Sequence, residues 1–328
     1  MQRVRAYTTL RDVGMASNMY REVDGMYLSL GFSEEVVRSA LAYKPRQDDV
    51  FIVSYPKCGT TWMQHIVYYI FNEGKPPKDQ RHFLAQTPFL EFVGVEGAIY
   101  LSRPAAIKTH MPFHLQPFSD QSKYIYITRN PFDCCVSFYY HTKHLPEYRF
   151  EDGTFDEFFE FFLKGQVDFG DYFTHLLSWY EERNRPNIMF VTYEDLKKDT
   201  RVWIQKVADF LGDEYGRRLR EHPDLLERIL ELTGVKHMKG WVNDLMGNVL
   251  PQVCSTPVDS LPPCLVNIAK CANNDLKKPM TGDFVRKGEV GDWKNHFSPD
   301  QTKRMKEWIA KRTVGSDIMD LWKDMNLE

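Results

Sequence analysis

A short apolar run, VFIVSY at 50–55, is joined by PKCGTT to the helix-like WMQHIVYYIFNEG at 62–74. The run is β-branched and aromatic and reads as a buried strand. The helical stretch stops at Gly74, with Pro76 and Pro77 beyond it, as helix ends commonly do. This strand–loop–helix unit constrains the fold because its pattern recurs. AAIKTH at 105–110 and SKYIYIT at 122–128 read as further strands. The second runs into RNPFD and a helical CCVSFYYHTKH, with Pro131 suited to a first helical turn. NIMFVTYEDL at 187–196 is another strand-like run, followed by the helical RVWIQKVADFLG at 201–212. Strands alternating with helices predict an α/β fold, a central parallel β-sheet covered by helices on both faces.

Around that frame, SEEVVRSALA at 33–42 predicts a short helix with Ser33 as its N-cap. Residues 1–20 read as a poorly ordered lead-in, and 21–328 as a single domain, since no linker divides the chain. The alternation breaks down at 239–283, which carries Pro251, Pro257, Pro262, Pro263 and Pro279 and little periodicity. A long irregular stretch inside a domain predicts a functional lid or a mobile loop.

Composition excludes several classes. Apolar residues make up 43% and charged residues 27% of the 328, an ordinary globular balance that argues against global disorder. With 42 Lys and Arg against 45 Asp and Glu, the net charge of −3 gives no support for a non-specific nucleic-acid binder, though a local basic pocket stays open. The basic start has no apolar segment behind it, so it does not read as a secretory signal. The longest apolar runs, such as IVYYIF at 66–71, fall far short of the roughly 20 residues of a membrane span. The six cysteines form no CxxC pair and no His-containing metal spacing, so reduced thiols, a cytoplasmic setting and no metal are expected. Aromatics reach 14%, enough to fill a large core or to line an apolar ligand site.

The chemistry concentrates in the loop 55–62, YPKCGTTW. The first amides of a helix have no internal partners, and with the helix dipole they form an anion site. Gly59 lets backbone approach a phosphate, Thr60 and Thr61 add hydroxyls, and Lys57 adds charge. This is not a Walker A loop, which needs GxxxxGK[ST]; here the lysine precedes the glycine. Trp62 could be core or could stack on a nucleobase.

YPKCGTTW (55–62), IKTHMP (107–112), YITRNPFDCCVSFYYH (126–141), VTYEDL (191–196) and RKGEVGDWKNHF (286–297) together resemble the cytosolic sulfotransferase family, in the family's order. The resemblance implies a single α/β domain similar to nucleotide kinases. It also implies transfer of a sulfuryl group from 3′-phosphoadenosine 5′-phosphosulfate (PAPS) to an acceptor hydroxyl or amine, leaving 3′-phosphoadenosine 5′-phosphate (PAP). The donor's 5′ end is then expected on Lys57, Cys58, Gly59, Thr60, Thr61 and Trp62, with Lys57 near the bridging oxygen and Trp62 on adenine. Arg129 and Ser137 match 3′-phosphate ligands, and Tyr193 and Thr233 match adenine contacts. Phe284, Val285, Arg286, Lys287 and Gly288 match a loop that closes on the 3′-phosphate. Arginine suits that role because its planar fork donates two hydrogen bonds at once. His110, in the KTH pattern, is the expected general base, with Lys108 beside it. Phe89 and Phe92 match an aromatic wall for a flat, small-molecule acceptor such as a phenol or catecholamine-like compound, and His141 and His144 are pocket candidates. Phe138, Tyr139 and Tyr140 are weaker ones, since at least one must face the core. The expected transfer is direct, in line and without metal.

The chain departs from the family pattern at Cys58, where serine is commoner, and in the longer segment 239–283. It departs also at KNHFSPDQTK (294–303), which replaces the family's short dimer signature and makes a homodimer uncertain. Two other classes compete. A nucleoside-triphosphate phosphotransferase would need Walker A and a Mg²⁺ carboxylate. A non-catalytic binder of adenosine phosphates or small aromatic ligands would need the pocket without the base.

Overall fold

The computed structural model describes residues 19–325 and 327. The expected lead-in therefore falls outside the described residues, except that Met19 and Tyr20 are buried and Tyr20 already opens a strand. The hairpin β1 (Tyr20–Val23) and β2 (Met26–Ser29) precedes α1 (Glu34–Leu41). Then follow β3 (Val50–Val53), α2 (Thr60–Phe71), α3 (Gln80–Gln86), α4 (Leu90–Ile99) and β4 (Ala106–Thr109). After these come β5 (Lys123–Thr128), α5 (Pro131–His144), α6 (Phe155–Leu163), α7 (Tyr172–Tyr180) and β6 (Ile188–Thr192). The main sheet is parallel and four-stranded, in the order β4-β3-β5-β6.

Successive side chains on a strand point to opposite faces, and this sheet separates them by type. Phe51, Val53, Tyr124 and Tyr126 face one core, where Phe51 and Tyr124 stack with centroids 5.0 Å apart and Tyr126 stacks on Trp179 at 5.3 Å. Ile52, Ile125 and Ile127 face an aliphatic core filled by Met63, Ile66 and Val67 of α2. Each fully buried ring or branched chain contributes roughly 1.5–3 kcal/mol, so a strand buried on both faces is held from two sides. The aliphatic layer is closed by α8 (Tyr193–Lys198), α9 (Thr200–Leu211), α10 (Asp213–Glu221) and α11 (Pro223–Leu232).

Three expectations are corrected in detail. The strand expected over 187–196 ends at Thr192, whose hydroxyl accepts from Asp195 N at 3.0 Å and so caps α8. The helix expected at 62–74 begins at Thr60 and ends at Phe71, with Gly74 past its end at φ +68°. The segment expected to be irregular is mostly helical: α12 (Val235–Asp244), a π-helical turn at Leu245–Val249, α13 (Leu250–Ser255) and α14 (Val266–Cys271). Pro251 lies in the first turn of α13 and Pro263 opens a 3₁₀ turn, positions that need no donor. The prolines thus divide short helices rather than prevent them. Further on, Ser298 and Pro299, the altered positions of the dimer signature, serve as N-cap and first turn of α15 (Pro299–Arg312). No helix among the described residues is long and apolar enough to cross a membrane.

Candidate active site

The four parallel strands end on the same side, and the residue following each end carries chemistry: Ser54 after β3, His110 after β4, Arg129 after β5 and Tyr193 after β6. The crevice beyond the carboxyl ends of an open parallel sheet is where such folds bind ligands. Here it is a cavity of about 310 Å³.

One half is built from the 55–62 loop. Lys57 and Gly59 both hold positive φ, +69° and +109°. A Cβ on Gly59 would lie 2.9 Å from Tyr193 and 3.0 Å from Ile127, so both the conformation and the space demand glycine. Gly59 caps α2 without a side chain, leaving the first-turn amides to a ligand. Cys58, expected with the loop's donor residues, is fully buried beneath it with its Sγ 3.7 Å from Cys134 Sγ, and unlike Lys57 and residues 59–62 it does not line the cavity. Lys57 Nζ stands 3.6 Å from the Phe284 ring centroid and 3.4 Å from His141 Nδ1. Burial, then Lys108 and Arg129, push its pKa down to about 7.

Arg129 lies over the Tyr193 ring at 4.5 Å and donates from Nη2 to Glu289 O at 2.8 Å. Its Nε is buried with no hydrogen-bond partner among the described residues, as is Nε1 of Trp62, which meets Tyr193 edge-on at 5.4 Å. These orphaned donors suit an anionic, aromatic ligand. Ser137 lines the same wall. Asp133 ties the wall to the segment after 284: its oxygens accept from Gly291 N at 2.7 Å and Trp293 N at 3.0 Å. In that segment Asp292 bridges Arg286 and Lys287, each at 2.5 Å, and its pKa is held well below the usual carboxylate range by their hydrogen bonds despite its burial. Val285 N donates to Asn243 Oδ1 at 2.8 Å, Gly288 packs on Val235, and Thr233 ends α11 with its hydroxyl on Ile229 O at 2.7 Å.

At the centre, His110 is 6% exposed. Its Nδ1 is 2.7 Å from Ser54 O, which can only accept, so Nδ1 carries the proton and Nε2 keeps its free lone pair. The backbone of His110 is fixed twice: its N donates to Glu91 Oε1 at 2.7 Å, and its O accepts from His175 Nε2 at 2.9 Å. Tyr126 OH completes the second support by donating to His175 Nδ1 at 3.0 Å. Burial and then Lys108 hold the His110 pKa well below its ordinary value, so the ring is neutral. Lys108 lies over Phe89 at 4.2 Å, with its own pKa lowered by burial to about 8.

The remaining half is aromatic. Phe89 and Phe92 line it as expected, joined by Phe32, which stacks on Phe92 at 4.5 Å, and Phe169, 5.3 Å from the His110 ring. His141 also lines the cavity, but His144 does not: it is 3.3 Å from Thr281 Oγ1 and stacks on Tyr140 outside. Of the weaker candidates, Phe138 and Tyr140 reach the cavity wall and Tyr139 packs on Phe155 and Phe158 instead. Sequence reasoning missed Phe32, Tyr148 and Phe169, which come from two loops and the 3₁₀ turn Pro146–Tyr148 without a local motif. It also missed Glu91, whose signal was a carboxylate in the apolar run TPFLEF. Among the described residues no cluster of His, Cys, Asp or Glu could hold a metal ion.

A family described as "Sulfotransferase domain" matches residues 47–244 and 267–317. Sulfotransferase 1C2 of Oryctolagus cuniculus is 34% identical over 310 residues, 91% of this chain and 94% of that protein. Sulfotransferase 1E1 of Homo sapiens is 35% identical over 267 residues, 78% of this chain and 81% of that one. Among solved structures, mouse sulfotransferase SULT7A1 complexed with PAP superposes with a TM-score of 0.69 at 28% identity, covering 93% of this chain and 98% of that one. A retinol dehydratase in complex with retinol and PAP shares the fold at a TM-score of 0.62 and 24% identity, over 93% and 92% of the two chains. The loop, the strand-end residues and these likenesses lead to one conclusion: the chain belongs to the cytosolic sulfotransferase family and is a sulfotransferase.

Proposed function

We propose that this enzyme takes its sulfuryl group from PAPS and passes it in line to a small phenolic or catecholamine-like acceptor, with His110 as general base. The observation that carries the reading is the meeting in one cavity of the amide-lined Lys57–Trp62 loop, the orphaned Arg129 Nε and a neutral His110. PAPS, when bound, supplies the sulfuryl group and a stable leaving group. The chain does the rest. Gly59, Thr60 and Thr61 present amides and hydroxyls to the 5′ end. Trp62, Tyr193 and Thr233 take the adenine, while Arg129, Ser137 and the Phe284–Gly288 loop take the 3′-phosphate. His110 Nε2 receives the acceptor's proton, and Lys57 meets charge developing on the bridging oxygen, the kind of preorganised cation that lowers a barrier. An anion on Lys57 and Lys108 also weakens their repulsion of a proton on His110, so donor binding strengthens the base. Residues 239–283 act as a lid on acceptor choice: Met246, Leu250 and Cys254 of this segment line the cavity. The six free thiols fit a reducing, cytoplasmic compartment.

The test is a thermal-shift comparison. A ligand bound only by the folded state adds RT ln(1 + [L]/Kd), about 2.7 kcal/mol at a hundred times Kd. PAP is expected to raise Tm clearly and ATP much less, because ATP lacks a 3′-phosphate. Equal shifts would count against the donor site, and labelled PAPS with a panel of phenols, steroids and alcohols would then decide the acceptor.

A further inference from the structure

One carboxylate beside the donor half has no part in the chemistry above. Glu194 follows Tyr193 in the first turn of α8, and a negative charge so near a phosphate site works against the ligand by repulsion. Its own hydrogen bonds run behind the site. Oε1 accepts from the backbone N of Asn130 at 2.9 Å and from Asn130 Nδ2 at 2.6 Å. Asn130 directly follows Arg129. One oxygen thus fastens the end of β5 to the end of β6, at the positions next to Arg129 and Tyr193, whose guanidinium and ring lie 4.5 Å apart.

The other oxygen, Oε2, accepts from Trp322 Nε1 at 2.8 Å, a residue 128 positions further along the chain. Trp322 belongs to a 3₁₀ segment, Ile318–Met325, whose Ile318, Met319 and Trp322 side chains are buried in the aromatic core. A phenyl ring could fill such a position, but only an indole brings an N–H to the carboxylate. On the far side of Asn130 the contacts continue. Asn130 Oδ1 accepts from Asp133 N at 2.9 Å, and Asn130 Nδ2 also donates to Asp133 Oδ2 at 2.9 Å. Asp133 in turn holds Gly291 and Trp293, just beyond Arg286 and Lys287.

Trp322, Glu194, Asn130 and Asp133 therefore form one line of hydrogen bonds behind Arg129, Tyr193 and the 284–288 loop. We propose that Glu194, aligned by Trp322, is a positioning residue for the donor's 3′-phosphate, and that the 318–325 segment is through it a working part of the donor site. The carboxylate fixes the strand end that carries Arg129, so the guanidinium meets the phosphate already ordered and less freedom is lost on binding. Burial raises the Glu194 pKa, and the hydrogen bonds from Asn130 and Trp322 oppose that rise, which favours the ionised form that accepts from both. The inference rests on the donor-site reading above and extends it to side chains that touch no ligand.

The experiment measures, by calorimetry, the binding of PAP and of adenosine 5′-monophosphate, which lacks the 3′-phosphate, to the wild type, W322F and E194Q. The wild type is expected to prefer PAP. W322F keeps a buried ring and removes the N–H, and the preference should narrow by about three- to tenfold, through weaker PAP binding, the range for a side chain that acts on a ligand through others. In turnover, KM for PAPS should rise more than KM for the acceptor. E194Q fixes the sign. Its amide keeps one accepting oxygen, so either the Asn130 or the Trp322 link is lost and PAP should bind more weakly. Tighter PAP binding in E194Q would mean that the carboxylate acts only by repelling phosphate, and would overturn the proposal. A melting curve reports that each variant is folded, and either variant decides if the other is not. An unchanged preference in a folded variant, or equal losses for both nucleotides, overturns the proposal and leaves the donor site standing. A wild type indifferent to the 3′-phosphate overturns the donor-site reading together with it.

Discussion

The donor half and the acceptor half of the cavity are made differently. The donor half is mainly backbone: amides at the start of α2, a glycine at φ +109° and a loop anchored through Asp133 to the start of α5. The acceptor half is side chains from dispersed loops, Phe32, Phe89, Tyr148 and Phe169 among them. A backbone site requires a continuous stretch of sequence, whereas a side-chain site requires only that several loops meet. The first hangs on the 55–62 loop and tolerates little change there, although Arg129, Tyr193 and the 284–288 segment join it; the second can be rebuilt one ring at a time.

The contrast can be broken first at its junction. His110→Ala should lower kcat by about 10² to 10⁴, the usual range for a general base, while the PAP-induced Tm shift stays near that of the wild type. Wild-type turnover would remove His110 from the mechanism, and a lost PAP shift would mean that the histidine supports the donor half as well.

Gly59→Ala should come next. Its Cβ meets Tyr193 and Ile127 at 2.9 and 3.0 Å, and a left-handed alanine costs about 1–2 kcal/mol. PAP affinity should fall by at least tenfold, read by calorimetry, against a several-fold change at most for Phe92→Leu in the acceptor wall. Equal losses would erase the distinction between the halves.

Shortening the 256–263 stretch between α13 and the following turn, with 284–288 spared, should re-rank small and bulky acceptors several-fold in kcat/KM and alter PAP affinity much less. An unchanged ranking in a folded, PAP-binding variant would deny the lid role.

The last test of the contrast concerns pH. Lys57 titrates near 7 in the free protein, and a bound anion raises that value. PAP affinity should therefore be greatest below pH 7 and weaken as pH rises above it, by up to tenfold per unit until the bound-state value is passed. Lys57→Met should bind more weakly and lose that slope, and a slope surviving the change would assign the titration elsewhere.

How much of this was legible in the sequence follows the same division. The parallel sheet and the loop 55–62 were readable because each is local, a strand period or a turn residue beside a helix start, whereas Arg129 and the 286–288 loop came only through the family resemblance. The end of β6 at Thr192 was also written locally, as Thr-x-x-Asp, and was overlooked because the apolar run continues past it. His144 was placed in the pocket by its position in the family pattern; positions three apart share a helix face, and only its contacts with Thr281 and Tyr140, which no local motif announces, hold it outside. The helices of 239–283 were hidden because proline reads as a breaker wherever it stands, although at a first turn it costs little. Asn130, Glu194 and Trp322 could not be connected at all, since only the fold brings the ends of β5 and β6 and the 318–325 segment together.

The Asp292 bridge has a consequence for how this enzyme responds to ionic strength. Its carboxylate already bridges Arg286 and Lys287 and offsets one of their two charges, with His296 Nε2 3.2 Å away. A phosphate arriving at that loop exchanges one oxyanion for another and displaces few small ions from solution. Added salt should then weaken donor binding less than two uncovered cations would imply, because a partly buried internal anion is not diluted and is poorly screened.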